Sequence, residues 1–442
     1  MTLLDLTPRT ATSDRLATLP VLIIGAGPIG LAAAANLAER GIDFTIVEAG
    51  DRVGASIRLW GHTRLFSPWR HLIDPASRRL LDAVGWTGPA DEGRAPTGRE
   101  LVDDYLELLA ALPQIGSRIR FGTRVLAVTR EGMDRTRTAG REKTPFLLRI
   151  QTNDGSVEEI TGRAVIDASG TYTSPNPLAS TGLDPIGDAD VDGLVLHALP
   201  DVLGADRASF TGKHTVVVGA GHSAANTLIA LAELAKSEPG TRVTWLIRNP
   251  SAIRVSSSQD DELADRAKLG SRVDQLVHTG QITLVDSFEI SRLQPNSDGG
   301  VRLIGRRRGE DAFLDADVVV NATGFRPDLS MLREVRLELD DIVEAPRRLA
   351  PLIDPNLHSS CGTVSPHGFT ELRHPEPGFF LVGMKSYGRA PTFLLATGYE
   401  QVRSITAWLD GDMPAATEVQ LTLPATGVCS TDVGSGGGSC CS

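Results

Sequence analysis

At 442 residues the chain has room for two or three domains, each able to bury a sizeable core. A formal net charge of −11 with no basic cluster argues against nucleic acid as a partner. No apolar run is long enough to cross a bilayer, and the N-terminus carries Asp5, Arg9, Asp14 and Arg15 where a signal peptide would be apolar. A soluble, cytoplasmic protein without membrane contact is expected. All four cysteines (Cys361, Cys429, Cys440, Cys441) fall late in the chain, so disulfides are not expected to hold the fold together.

The first informative stretch is Val21-Leu-Ile-Ile-Gly25-Ala-Gly27-Pro-Ile-Gly30. Four apolar residues predict a buried strand. Gly25, Gly27 and Gly30 then allow a tight turn, close approach to a pyrophosphate, and close packing of the next helix on that strand. An Ala/Leu-rich helix over 31–40 and a strand over 44–48 follow, and Glu48 at the strand end is placed to hold a ribose 2′-hydroxyl. The segment Ile57 to Trp69, with Arg58 and Trp69 as its candidate cofactor contacts, reads either as a cover over a flavin ring or as a surface loop with buried tryptophans. A helix is expected over 98–112, and short runs at 119–128, 146–152 and 157–160 predict a β-meander.

The strand Ala164-Val-Ile-Asp-Ala-Ser-Gly170 is echoed much later by Asp317-Val-Val-Val-Asn-Ala-Thr323-Gly324. Between them lies a second nucleotide signature, Thr215-Val-Val-Val-Gly219-Ala-Gly221-His-Ser223-Ala224, then a helix over 223–234 and a strand over 243–248. That strand ends in Arg248 where the first copy ends in Glu48. An arginine there accommodates a 2′-phosphate, so FAD is expected at the first site and NADPH at the second. Arg306–Arg308 reads as a solvated turn. The chain then returns to the first domain through the strand and turn 378–383, ending in Gly383, and a helix over 391–405 that opens with Pro391 and Thr392. The N-terminus of that helix, with Arg389 just before it, would face the N1/C2-carbonyl edge of a flavin and favour its anionic reduced form.

The expected fold is α/β with two Rossmann-like dinucleotide-binding domains. They comprise an N-terminal extension (1–19), an FAD domain (20–190 and 313–425), an inserted NADPH domain (191–312), and a cysteine tail (426–442) too glycine-rich to be ordered on its own.

Over residues 20 to 408 the chain resembles the class B flavoprotein monooxygenases of the two-dinucleotide-binding flavoprotein superfamily, on both nucleotide signatures, the Ala-Thr-Gly echo and the run Asn321 to Asp328. That family carries a linker motif Phe-x-Gly-x-x-x-His-x-x-x-(Phe/Tyr). Here Gly193 and His197 are kept, and the two aromatic positions hold Val191 and Asp201. The run Gly383 to Phe393, together with Cys429 and the paired Cys440 and Cys441, is similar to the flavin-dependent monooxygenases of bacterial arsenic-resistance operons. What the resemblance implies is NADPH- and oxygen-dependent oxidation of trivalent arsenic or antimony species to pentavalent ones, through a flavin C4a-hydroperoxide that survives where water is excluded. An arsenic lone pair attacks such an oxygen directly, which accords with the lack of any nucleophile–base constellation. His197 is a candidate for gating NADPH or a merely structural linker residue.

Thiolates are soft ligands for thiophilic centres, so Cys429, Cys440 and Cys441 are candidates to capture the metalloid substrate. A Gly/Ser connector of the length between them spans roughly 18 Å, so the three can meet. The tail also reads as undirected, or as an appended linker scar. Cys361, near His358 and His367, is either a pocket residue or an ordinary semi-buried cysteine. Two other readings stay open. A pyridine-nucleotide disulfide or metal reductase would need a redox dithiol beside the flavin, and none precedes Cys361. A metalloid-binding carrier flavoprotein would bind without NADPH turnover. Organic sulfides, amines and ketones also remain open as monooxygenase substrates, as does a homo-oligomeric state.

Overall fold

The computed structural model describes residues 13–250, 264–354, 362–363, 366–390, 393–421 and 427–428. Cys361, His358, Pro391, Thr392, Cys429, Cys440 and Cys441 lie outside the described residues, and with them the expected metalloid-capturing thiols.

Val21–Ile24 is buried at every position, the pattern of a strand covered on both faces. It is the centre of a five-stranded parallel sheet in the order Phe379–Leu381, Ala164–Asp167, Val21–Ile24, Phe44–Val47, Ile119–Arg120. Val21 and Ile23 face a helical layer led by Pro28–Glu39, whose proline stands in its first turn and whose Ala32–Ala35 allow close approach to the sheet. Leu22 and Ile24 face the other way, into a core shared with Val128, Phe146 and Leu148 of the expected meander. The meander forms from Thr123–Arg130, Phe146–Thr152 and Val157–Gly162, paired antiparallel.

A second unit repeats this plan. Its parallel sheet runs Thr283–Val285, Arg242–Leu246, His214–Val218, Val318–Asn321, Val195–Leu196, with Val217 and Val320 facing the His222–Ser237 helix. Val216, Val218 and Val319 face a second antiparallel meander built from Phe288–Pro295, Val301–Arg307 and Glu310–Ala316. Each meander even carries a register shift in its first strand, between Val125 and Ala127 and between Ile290 and Arg292. Both units are therefore three layers, helices on a parallel sheet on a meander, and the α/β class with two Rossmann-like domains holds.

The second meander corrects two expectations. Arg306 and Arg307 end a strand, and only Arg308 lies in the hairpin turn. The boundary drawn at 312 cuts through Glu310–Ala316, and Val318–Asn321 pairs within the second sheet, so that unit runs on to Asn321. The helix expected over 391–405 is also shifted, running Leu395–Asp410.

The returning chain is tied to the first meander by a buried ion triad. Glu376, fully buried, takes Arg130 and Arg141 at 2.8 Å each. Among the described residues no helix is long and apolar enough to cross a membrane.

Candidate functional site

The two glycine turns do what the spacing requires. Gly25 (φ +101°) lies so close to the returning strand that a Cβ would stand 2.8 Å from the Ala168 carbonyl oxygen. A Cβ on Gly30 would collide with the Gly25 carbonyl, whereas one on Gly27 meets nothing within 4 Å. The first and third glycines are thus demanded by packing, and the second leaves the clearance that a diphosphate needs. In the second unit Gly219 (φ +131°) would drive a Cβ into the Ala322 carbonyl, Gly221 again has open space, and buried Ala224 takes the third place. Ser223 stands in the first turn of the His222–Ser237 helix.

The echoed strand ends explain these contacts. Asp167 closes the strand Ala164–Asp167, and its Oδ1 accepts the Ser169 N–H (3.1 Å) and hydroxyl (2.6 Å). Asn321 closes Val318–Asn321, and its Oδ1 accepts the Thr323 N–H (3.2 Å) and hydroxyl (2.7 Å). The same Asx turn therefore holds Ala168 against Gly25 and Ala322 against Gly219. Gly170 and Gly324 follow with positive φ, each carrying the chain into a linker between the units. The copies differ in charge. Asp167 Oδ2 takes Lys385 Nζ at 2.8 Å in a pair no more than 2% exposed, and Lys385 also donates to the Ser169 hydroxyl. Asn321 is neutral, and its amide donates to the Asn176 carbonyl.

Of the two ribose-end residues, Glu48 sits at the mouth of its turn, accepting the Ala26 N–H (2.6 Å) and the Gly50 N–H (2.7 Å). Arg248 is exposed and donates to the Ser180 carbonyl at 3.4 Å. Gly383 follows the edge strand Phe379–Leu381 and packs on Ile29 at the start of the first helix, where a Cβ would stand 3.1 Å from Ile29 Cγ1. Gly398 meets the same isoleucine from the Leu395–Asp410 helix, so both helix N-termini converge there.

Four expected site residues sit among protein partners. Trp69 is 1% exposed inside the first core, as the buried-tryptophan alternative describes. Arg58 is spent on ion pairs with Asp103 and Glu107 across the Gly98–Ala110 helical stretch. Arg389 pairs with Glu344 at 2.6 Å and is 43% exposed, so it is not a free charge at the helix start. His197 belongs to neither glycine turn. Its ring lies between Tyr172 and Phe325, 4.6 and 5.5 Å from their centroids, and its nitrogens face the carbonyls of Tyr172 and Ala198. The two linkers cross at this cluster, Asn176 N–H donating to the Gly324 carbonyl and Arg326 N–H to that of Ser174. Burial pushes the Tyr172 phenol up to about 12, so it stays a neutral donor, to the Ala198 carbonyl.

Sequence reasoning missed Lys385 and the contact between Phe66 and His222, whose rings are 5.3 Å apart. The parallel Asp-Ala-Ser-Gly and Asn-Ala-Thr-Gly strings carried a signal for the Asx turns. Nothing local marked Lys385 as a partner of Asp167.

Two three-layer units with paired glycine turns, the second inserted before the first sheet's last strand, define the two-dinucleotide-binding fold of flavoprotein oxidoreductases. The chain belongs to the pyridine nucleotide-disulphide oxidoreductase family, whose model matches residues 22–359. It is 26% identical over 254 residues to flavin-containing monooxygenase FMO GS-OX-like 2 of Arabidopsis thaliana, covering 51% of this chain. It spans half the length of that curated relative, 50%. Among solved structures, bacillithiol disulfide reductase Bdr (YpdA) from Bacillus cereus superposes with a TM-score of 0.66 at 22% identity, over 89% of this chain and 99% of that one. A double mutant of a flavin monooxygenase from Stenotrophomonas maltophilia gives 0.55 at 25% identity, over 88% and 99%.

Proposed function

We propose that the protein is an FAD- and NADPH-dependent monooxygenase that oxidises trivalent arsenic or antimony species, arsenite, methylarsenite or antimonite, to pentavalent products. The observation that carries the flavoenzyme reading is the pair of open glycine cradles with opposite ribose ends, Glu48 at one and Arg248 at the other. The kinship with flavin-containing monooxygenases supports oxygen transfer. The metalloid rests on the three tail thiols, whose sulfurs suit a soft centre.

FAD, when bound, supplies the two-electron chemistry and the activation of oxygen. The residues supply placement. Gly27 gives clearance, and the uncapped N-terminus of the Pro28–Glu39 helix would hold the diphosphate. Glu48 has lone pairs left over from Ala26 and Gly50 for ribose hydroxyls. Arg248 would receive the 2′-phosphate of NADPH on its exposed guanidinium. The Leu395–Asp410 helix starts without a side-chain cap, so its first N–H groups and partial positive charge remain for an electron-rich ring edge. Half-buried Met384, Phe393 and Leu394 bring apolar surface to the same end, which keeps water from a reactive oxygen. No cysteine occurs among the described residues, so the redox dithiol of a disulfide reductase is not present among them.

The test is NADPH and oxygen consumption by FAD-loaded protein with and without trivalent arsenicals and antimonite, in the full chain and in a chain truncated after Gly427. Substrate-stimulated turnover with pentavalent product, weakened by truncation, is expected. Stimulation that survives truncation removes the tail from the mechanism. NADPH oxidation without oxygen, coupled to disulfide or metal reduction, refutes the monooxygenase.

A further inference from the structure

The second glycine turn is met from across the molecule by a ring of the first unit. His222 is the first residue of the His222–Ser237 helix, directly after Gly221, the glycine that leaves clearance for a diphosphate. The Phe66 ring lies 5.3 Å from the His222 ring, tilted by 36°. Phe66 is not on a loose loop. Leu65 N–H donates to the Pro96 carbonyl (2.8 Å) and Trp69 N–H to that of Arg94 (3.0 Å), so the segment is pinned on both sides of the phenylalanine. The Arg64 guanidinium adds a bond to the Ala95 carbonyl at 2.6 Å. Trp69 and Leu72, each 1% exposed, root the segment in the first core. The Tyr399 hydroxyl, donating to the Leu72 carbonyl at 2.7 Å, joins it to the Leu395–Asp410 helix.

We propose that Phe66 is a positioning residue for NADPH. Acting through His222, it holds the second nucleotide turn at the angle from which the nicotinamide reaches the flavin. The proposal rests on the FAD and NADPH assignment above. A diphosphate held at Gly221 would lie next to the His222 backbone, beside the residue whose ring Phe66 contacts. An aromatic side chain suits this task because it offers a large rigid surface with only two rotatable bonds. The step served would be hydride transfer, in which NADPH would give one hydride to FAD and a proton would join from solvent, leaving NADP⁺ and reduced flavin. Its rate depends steeply on placement, about 100-fold for a 1 Å error.

The experiment uses the FAD-loaded full chain and follows flavin bleaching by NADPH without oxygen, as a function of NADPH concentration. For Phe66→Ala we expect the limiting reduction rate to fall by at least about ten-fold, a larger change than in the apparent Kd for NADPH. Bleaching by dithionite, FAD content and melting temperature are expected unchanged, and Phe66→Tyr is expected to restore the rate. His222→Gln should slow reduction comparably, and the double variant should be no slower than the worse single one, because both act at one contact. A Phe66→Ala rate within about two-fold of wild type overturns the proposal. So does a rate that falls only in step with lost FAD or stability, which would make the segment structural. If the wild-type flavin is not bleached by NADPH at all, the parent assignment fails, and the positioning role falls with it.

Discussion

Replacing Lys385 with methionine keeps the length of the side chain and removes one end of a buried ion pair. The ammonium lies 2.8 Å from Asp167 Oδ2, and neither side chain is more than 2% exposed. Without it the carboxylate keeps only the Ser169 N–H and hydroxyl, both on its other oxygen. Leaving a buried charge uncompensated costs about 3–5 kcal/mol. The second unit supplies an internal control, since Asn321 forms the same turn as an uncharged amide. The double variant Lys385→Met with Asp167→Asn should therefore lose far less than the sum of the single losses, with a coupling of at least about 1 kcal/mol. Urea unfolding of the FAD-loaded protein, followed by tryptophan fluorescence, measures this. The single methionine variant should lower the midpoint by about 1 M. If the losses add to within about 0.5 kcal/mol, the pair is not coupled and the reasoning is wrong.

Four further outcomes are expected. Burial pushes the Asp74 carboxyl up to about 6 against the opposing hydrogen bonds from Ser77 and Asn36. Its unfolded value is about 3.9, so the folded chain binds the proton more tightly, and stability present below about pH 4 is lost as pH rises through about 6, by about 3 kcal/mol. Asp74→Asn, which can still cap the helix at Pro75, should remove that slope, and parallel melting curves for the two proteins between pH 4 and 8 would contradict this. Gly221→Ala should leave the melting temperature unchanged, since its Cβ meets nothing, yet raise KM for NADPH at least about ten-fold. Gly219→Ala should destabilise the second unit outright, a contrast read by thermal melts and NADPH titration together. Arg248→Ala should weaken NADPH about ten-fold or more while sparing NADH, and equal loss for both would remove the arginine from the 2′-phosphate site. Glu376→Gln leaves Arg130 and Arg141 facing each other without a counter-charge, and a loss of about 3–5 kcal/mol is expected in the same urea assay.

What was legible in the sequence was local. The Val21–Gly30 stretch combines a continuous apolar strand with three glycines of distinct duty, and each duty is met within a few residues of chain or by the echoed strand end. The first meander was legible because apolar alternation and an Asn-Asp-Gly turn sit in a short window. The second was hidden by its charges. Arg302, Arg306, Asp311 and Asp315 lie along hairpin strands, and Arg302 pairs with Asp315 across them, so strand residues read as a solvated turn. Charge partnerships were hidden for the same reason throughout. Arg58, Arg389 and Lys385 are defined by their carboxylate partners, and Lys385 finds Asp167 across 218 positions. Trp69 looked like a ring available to a cofactor because its burial depends on a core assembled from distant segments.

The insertion of the second unit also dictates an order of assembly. Phe379–Leu381 is the edge strand of the first sheet, pairing with Val165–Asp167, so that sheet stays one strand short until the whole second unit has left the ribosome. The second sheet, by contrast, draws all its strands from Val195 to Asn321. Synthesis at about 5–20 residues per second leaves several seconds between these events. During that interval Ala164–Asp167 is an unpaired edge, exposed to pairing with another chain. The Asp167 carboxylate ends that strand, and Lys385 is made only four residues after the strand that covers it. The nascent edge therefore carries an unneutralised charge for as long as it is open, which discourages the wrong partner, and the charge is cancelled as the right one arrives.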